Sequence, residues 1–318
     1  MKMQRNYKIE KCENFYRFCF LFLLRKDLLC YNVLRMRWNM KFSVFSSGSD
    51  GNCTLIQTKQ INILIDAGIT RKQILENLSR YNLSLKDISI LFITHEHVDH
   101  IKALPQMLKE CDLKIYMSSG TFMALKEQYS RPGKEKAYEL LMERYKNQSL
   151  IVINRIENSI LYPYFVESDL KIQILPAFHD ARECIGFSFY NEGKKLVYMT
   201  DTGYVHQAIY EEISNAEAYI LESNHDPEIL MHSERPYMLK IRILGDHGHM
   251  SNEDSMITLC NVMGNKTKLV LHAHISQECN LTEIINLTRE KVFNDYGIDA
   301  SNVEFVILKP YFSGDYEI

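Results

Sequence analysis

An α/β fold, with layered sheets covered by outer helices, follows from three features of this 318-residue chain. From residue 40 onward, short runs rich in β-branched and aromatic residues alternate with longer segments of helical spacing. The strand-like runs outnumber the helical ones and interleave with them, which is the pattern of sheets flanked by helices. No Pro/Gly-rich break, low-complexity linker or internal sequence repeat interrupts residues 40–318, so one domain is expected there.

Taken in order, strands are expected at 41–45, 52–57 and 61–65, where apolar and β-branched residues alternate with polar ones or run on between turn residues. Helical spacing covers 71–81, and the apolar run Ile88-Ser-Ile-Leu-Phe-Ile-Thr94 then marks a buried strand at 88–93. A helix at 100–111, a strand at 114–117 and helices at 121–129 and 134–145 follow. Strands at 170–175, 185–190 and 195–199 come next, the last two joined as a hairpin by the turn Asn191-Glu-Gly-Lys194. Beyond these lie a helix at 205–214, a strand at 218–222, a helix at 252–263, a strand at 268–272, a helix at 282–296 and a strand at 303–308. Thr282 followed by Glu283 marks the start of the last helix, and Gly297 marks its stop.

With 46% hydrophobic and 24% charged residues, the chain has ample material for one large core. Charge is uneven: residues 1–40 hold nine Lys/Arg against three Asp/Glu, so the whole-chain value of −3 leaves −9 for residues 41–318. A nucleic-acid partner therefore needs a local basic patch or bound cations, since the body repels phosphate. The eight cysteines include no C-x-x-C pair and are too sparse for a disulfide scaffold, which fits a reducing cytoplasm. Residues 1–39 read as an N-terminal extension or a mis-assigned start, with Met36 or Met40 as the true beginning. The apolar stretch Phe15-Tyr-Arg-Phe-Cys-Phe-Leu-Phe-Leu-Leu24 is interrupted by Arg17 and is too short to span a bilayer, so no stable membrane insertion is expected. An amphipathic anchor lying on a membrane surface is the second reading of that stretch.

The chemistry concentrates at Thr94-His-Glu-His-Val-Asp-His100, three histidines and two carboxylates in seven positions. Extended backbone after a strand sends His95 and His97 the same way, and a helical start at Val98 turns Asp99 and His100 toward a neighbouring position. Such a donor set suits a pair of borderline divalent ions, zinc or manganese. A metal pair needs more ligands than one loop supplies, and four further residues sit at the ends of apolar strands: Asp66, His179, Asp201 and His274. Strand ends of one sheet can converge on a single edge. His272 lies two residues before His274 and reads as a buried neighbour.

The ordered segments Phe42-Ser-Val-Phe-Ser-Ser-Gly-Ser-Asp-Gly-Asn52, Thr94-His-Glu-His-Val-Asp-His-Ile101, His179-Asp-Ala181, Thr200-Asp-Thr-Gly-Tyr204, Glu222-Ser-Asn-His-Asp226, Gly248-His-Met-Ser-Asn-Glu253 and Ala273-His-Ile-Ser276 resemble the metallo-β-lactamase superfamily. Within it the chain is similar to the YycJ/WalJ-type exonuclease group. The resemblance implies an αββα four-layer sandwich over residues 40–318 with two divalent metal ions at one sheet edge. It implies that His95, His97 and His179 hold one ion, that Asp99, His100 and His274 hold the other, and that Asp201 bridges them. Asp66 matches a carboxylate that orients a ligand histidine. His249 matches a phosphate contact or general acid, with Asp99 and His225 as further catalytic candidates. Ser49, Asn52, Ser251 and Asn252 are substrate-binding candidates: the first two sit in the Gly-rich loop, and the others open a helix whose N-terminal N–H groups suit an anion. Arg235, Lys240 and Arg242 are positioned in sequence to add positive charge to a strand path.

Two departures from the family pattern stand out. Asp50 adds a carboxylate to the Gly-rich loop, which should weaken phosphate binding. Residues 127–166 are longer than expected and read as a lid, a DNA-contacting insert or a dimer surface. The implied function is a metal-dependent phosphodiester hydrolase, a 5′ exonuclease on ends of double-stranded DNA in the cytoplasm. The alternatives are a small-molecule metallo-hydrolase acting on a cyclic phosphodiester or thioester, and a non-enzymatic regulatory partner.

Overall fold

The computed structural model describes residues 40–318 apart from Asn158. The N-terminal extension and its apolar stretch lie outside the described residues. Two seven-stranded sheets face each other. Sheet I contains β1 (Lys41–Ser46), β2 (Cys53–Gln57), β3 (Asn62–Ile65), β4 (Ile90–Phe92), β5 (Lys114–Ser118), β6 (Leu150–Ile153) and β14 (Gly314–Glu317), in the order β14-β1-β2-β3-β4-β5-β6. Sheet II contains β7 (Tyr164–Glu167), β8 (Leu170–Pro176), β9 (Ile185–Asn191), β10 (Lys194–Met199), β11 (Ala218–Glu222), β12 (Leu269–Ala273) and β13 (Glu304–Ile307), in the order β13-β12-β11-β10-β9-β8-β7.

The two sheets share one plan that sequence comparison within the chain does not reveal. In each, an antiparallel meander joins a parallel block, β3-β4-β5-β6 in sheet I and β10-β11-β12-β13 in sheet II. Parallel strands end on the same side of a sheet, so both blocks deliver their C-terminal residues to one edge.

Alternation of side chains sorts each strand into two cores. Phe42, Ile63 and Phe92 of sheet I meet Ile172, Phe187 and Phe189 of sheet II between the sheets, with the Phe92 and Phe187 rings 4.9 Å apart. The opposite faces are covered by helices. Leu64, Leu91 and Ile115 pack under α1 (Arg71–Ser79), α3 (Leu104–Glu110), α4 (Ser119–Tyr129) and α5 (Glu135–Lys146). Val197, Tyr219 and Val270 pack under α6 (Tyr210–Ile213), α9 (Asn252–Val262) and α10 (Thr282–Tyr296). The layering is αββα, as the resemblance implied.

Several local expectations change. The helix expected at 100–111 is two helices, α2 (Val98–Ile101) and α3, because Pro105 lacks the N–H that would bond back one turn and sits in the first turn of α3. Backbone groups at the break bond the segment after β3: Ala67 N donates to His100 O, and Ala103 N donates to Ala67 O, both at 2.8 Å. Residues 127–166 are woven into the body, supplying the end of α4, all of α5 and the edge strands β6 and β7 of the two sheets. Tyr162 from its aromatic run is buried and Phe165 stacks on Tyr116, so this segment is not a lid. Thr282 begins α10, but the cap position is Leu281 and no side chain caps it; Gly297 ends it in the left-handed conformation with φ 66°. The hairpin turn has positive φ at Glu192 and Gly193, as a type I′ turn requires. Two helices outside the sequence expectation, α7 (Pro227–His232) and α8 (Tyr237–Leu244), form a small hairpin after β11.

Candidate metal centre

Three of the converging strand ends carry an unusual backbone. Asp66 after β3, Asp201 after β10 and His274 after β12 have φ of 60°, 54° and 54°. Left-handed backbone at a residue with a Cβ costs roughly 1–3 kcal/mol and persists where the surroundings enforce it. Here it turns each side chain off the end of its sheet toward the His95–His100 loop. That loop is locked against the start of β2 by Asn52 N donating to Asp99 O at 2.8 Å. Gly68 permits the approach: a Cβ there would lie 1.6 Å from Asp99 O.

Each ligand-type histidine on the sheet edge is held by Nδ1. His100 Nδ1 donates to Asp66 Oδ2 at 2.7 Å, His179 Nδ1 to Gly248 O at 2.8 Å and His274 Nδ1 to Glu222 Oε1 at 2.9 Å. Carboxylate and carbonyl oxygens only accept, so these Nδ1 atoms carry a proton and Nε2 is the ring atom turned away from them. His95 Nδ1 lies 3.1 Å from Thr94 Oγ1, whose neighbouring contacts include Asp66. The freed atoms converge. Donor atoms of His95, His97 and His179 lie within 4.8 Å of one another, as do those of Asp99, His100 and His274, and those of His95, His100 and Asp201. Asp201 reaches both groups, with Oδ2 3.3 Å from His100 Nε2 and Oδ1 4.0 Å from His179 Nε2.

The donor set fits divalent-cation binding on its own evidence. His95 Nε2, His274 Nε2 and Asp201 Oδ2 are buried with no hydrogen-bond partner. Each such orphan costs about 1–3 kcal/mol unless a cation or water meets it. Burial drives the His95 imidazole far below its ordinary pKa and His179 down to about 4, so both are neutral and ready to coordinate. Burial opposes charge on Asp201 too, yet the His274 and His100 imidazoles hold its carboxyl far below the usual range.

Glu222, which the sequence reading used only as part of a motif, emerges as a further site residue. Its Oε1 accepts from His249 Nδ1 at 2.7 Å as well as from His274, while Oε2 accepts from Thr202 N at 2.7 Å. Burial raises its pKa, but the paired His249 and His274 lower it more, and it stays ionised. The available signal was its position: it ends a buried apolar strand, β11, much as Asp66 and Asp201 follow theirs.

Beside these groups lies a cleft of about 130 Å³ whose lining includes Ser49, His179, Asp180, Arg235, Arg242 and His249. Other sequence candidates sit elsewhere. Asn52 is buried and bonds the Gly48 backbone, with Nδ2 3.0 Å from His100 Nε2. Ser251 is buried as the cap of α9, its hydroxyl tied to Asp254, and Asn252 pairs with Asn280. Glu253 and Asp254 already supply negative charge to that helix end, so it does not form an open anion site. His225 is 1% exposed, bridges by its backbone to Ser251 and lines no part of the cleft. Its ring is neutral, with burial pushing the pKa down to about 4. Lys240 points inward, its Nζ donating to Met231 O and Ser233 O at 2.8 and 2.7 Å, so it adds no charge to a strand path. His272 is buried against Ser223 and Phe305, away from the cluster. Asp50 accepts from Gln277. Asp180, given no role by the sequence, lies 3.0 Å from His179 Nε2 and pairs with Arg242.

The sequence pattern of the Beta-lactamase superfamily domain matches residues 61–273. The chain is 30% identical over 258 residues to exodeoxyribonuclease YycJ of Bacillus anthracis, covering 81% of this chain and 90% of that one. It is 31% identical over 248 residues to exodeoxyribonuclease WalJ of Streptococcus pneumoniae, covering 78% and 86%. Among solved structures, the metallo-β-lactamase fold protein YhfI of Bacillus subtilis superposes with a TM-score of 0.61 at 15% identity, covering 88% of this chain and all of that one. This last likeness concerns the fold.

Proposed function

Because this chain belongs to the β-lactamase superfamily and is a metal-dependent hydrolase of that fold, we propose that it is an exonuclease removing nucleotides from 5′ ends of double-stranded DNA. Its relatives over most of their length are named exodeoxyribonucleases, and the observation that carries the chemistry is the convergence of unpartnered His Nε2 and Asp oxygens beside the Glu222–His249 pair. His95, His97 and His179 would hold one divalent ion, Asp99, His100 and His274 a second, with Asp201 shared between them. When bound, such a pair supplies an activated water and neutralises phosphodiester charge, with zinc or manganese as the proposed ions.

The protein's own groups then divide the remaining work. Asp66, Glu222 and Gly248 O fix the ligand imidazoles by their Nδ1 protons, which sets both tautomer and ring angle. Asp99 is the most open of the acidic groups, its side chain 25% exposed against 3% for Asp201. Burial opposes its ionisation, but His100 and His274 hold it as a carboxylate, so it accepts a hydrogen bond from the attacking water and aims it. His249, its Nδ1–H held by Glu222, turns Nε2 to the cleft; in its protonated form it gives the Nε2 proton to the leaving oxygen as the P–O bond breaks, and the proton released by the attacking water passes to solvent. Ser49 and Arg242 on the cleft wall bind the substrate's phosphates.

The test is degradation of linear 5′-phosphorylated duplex DNA, labelled at the 5′ or 3′ end, by protein loaded with Mn²⁺ or Zn²⁺. Mononucleotides released first from the 5′ end are expected, and Asp99→Ala and His274→Ala should abolish release while keeping the circular dichroism spectrum. Turnover of a cyclic nucleotide with DNA left intact would replace this reading by a small phosphodiesterase. Turnover of neither substrate, together with no metal bound by elemental analysis after loading, would support a non-catalytic role.

A further inference from the structure

Asp180 stands nearer to one of the ligand-type histidines than Asp201 does. Its Oδ1 lies 3.0 Å from His179 Nε2 and 3.8 Å from His97 Nε2, whereas Asp201 Oδ1 is 4.0 Å from the same His179 atom. Oδ1 is buried, although the side chain as a whole is 21% exposed, and it has no hydrogen-bond partner among the described residues. A carboxylate oxygen shut off from water and left unmet costs about 1–3 kcal/mol or more. The histidine beside it brings no relief. His179 commits its Nδ1 proton to Gly248 O, so the neutral ring turns a lone pair, not a donor, toward Oδ1. Two acceptors this close repel each other unless a positive charge sits against both.

The spacing suits two donors of one cation. Nitrogen and oxygen ligands stand about 2.0–2.2 Å from an ion such as zinc, so two donors of one ion lie at most about 4.2 Å apart. Both distances from Oδ1 fall inside that limit. The other carboxylate oxygen is secured elsewhere: Oδ2 pairs with Nη2 of Arg242 on α8. Arg242 therefore satisfies one side of the carboxylate and leaves the other facing His97 and His179. The segment that carries Asp180 is also tied to the His95–His100 loop, where Arg182 N donates to Glu96 Oε1 at 2.7 Å.

Resting on the metal-centre reading above, we propose that Asp180 supplies Oδ1 as a further ligand to the ion of His95, His97 and His179, with Arg242 as the residue that positions it. Each ion is then served by one adjacent pair of residues, His179 and Asp180 for the first, Asp99 and His100 for the second. Arg242 acts only through Asp180 in this role, because a guanidinium carries donors alone and cannot ligate a cation.

The experiment compares metal binding, without substrate, by wild type, Asp180→Asn, Arg242→Met and Arg242→Lys. Competition titration against a chromophoric chelator gives the affinity for Zn²⁺ at each of the two sites. The visible absorption of the Co²⁺-loaded protein reports the ligand set, and melting of the metal-free forms reports the fold. For Asp180→Asn the expected result is a loss of about 100-fold at one site, the upper end of what losing a partner of a ligand costs, with a changed Co²⁺ spectrum. Arg242→Met should weaken the same site about 10-fold, and Arg242→Lys should restore part of that loss. In a His97→Ala background, where that site is already damaged, Asp180→Asn should leave the remaining site within twofold.

Affinities within twofold of wild type and an unchanged Co²⁺ spectrum in Asp180→Asn would overturn the proposal and leave the metal centre standing, with Asp180 only the counter-ion of Arg242. A full loss at the remaining site in the His97→Ala background would assign the carboxylate to the other ion and overturn it as well. So would a metal-free Asp180→Asn that melts as far below wild type as its loaded form does, since the role would then be structural. Wild-type affinity in Arg242→Met would overturn the part given to Arg242. A wild type that binds no divalent ion would refute the metal-centre reading, and this proposal with it.

Discussion

Replacing Asp66 by Asn separates orientation of a ligand from ligation itself. Asp66 is fully buried and accepts three hydrogen bonds, from Thr94 N at 2.8 Å, Thr94 Oγ1 at 2.9 Å and His100 Nδ1 at 2.7 Å. Asn is nearly isosteric and tolerates the left-handed backbone at this position, so the strand end should keep its course. Its carbonyl can still take the Thr94 N–H. Its amide then faces His100 Nδ1, donor against donor, and the contact is relieved only if His100 moves its proton to Nε2, the atom needed for an ion. The cost to the apoprotein is one reorganised buried bond, about 1–3 kcal/mol. The cost to metal binding is the tautomer penalty, expected at 10- to 100-fold in affinity, or about 1.4–2.7 kcal/mol. Competition titration against a chromophoric chelator measures this directly, and melting with and without metal shows whether the loss is confined to the loaded form. An affinity within twofold of wild type would refute the claim that Asp66 sets the His100 tautomer.

Further outcomes follow from the same geometry. Burial lowers the His274 pKa, but Asp201, Asp99 and Glu222 outweigh it and raise it from 6.5 to about 10, so its stabilising contribution to the apoprotein is complete below pH 6.5 and lost as pH climbs through 10. Chelator-treated protein should therefore melt at progressively lower temperature across that window, and a flat profile, or the same slope in His274→Gln, would contradict it. Gly68→Ala should cost about 3 kcal/mol and release bound metal, because its Cβ would meet Asp99 O at 1.6 Å; unchanged metal content would show that the two loops can separate freely. Lys240→Met should lower stability by about 2 kcal/mol through the carbonyls it leaves unmet, with the salt dependence of DNA binding unaltered. A salt slope reduced by about one would instead return Lys240 to the phosphate path.

Most of the strands were legible because buried strands advertise themselves by apolar runs, and their ends by Asp66, Asp201 and His274. The elements that escaped did so for physical reasons. β14 is a polar edge strand, Gly-Asp-Tyr-Glu, whose pairing with β1 depends on a partner 270 residues away in sequence. The α7–α8 hairpin has an apolar stripe on its exposed side, so its pattern carries no signal of a core-facing helix. Ser251 followed three residues on by Asp254 reads from sequence as a helix cap as well as a substrate contact; packing makes it the cap, and pairs Asn252 with Asn280, a contact between residues 28 apart that local pattern does not encode.

The sequence alone determined the donor chemistry and the layering: a cluster of imidazoles and carboxylates at the ends of apolar strands can hardly satisfy itself without cations. Which atoms of those residues are left free to meet a cation was decided only by tertiary structure. The direction of each imidazole depends on what its Nδ1 meets, Asp66, Gly248 O or Glu222, and those partners lie 34, 69 and 52 residues away along the chain. Local pattern encodes burial and period; it does not encode the orientation of a ring in a contact closed by the whole fold.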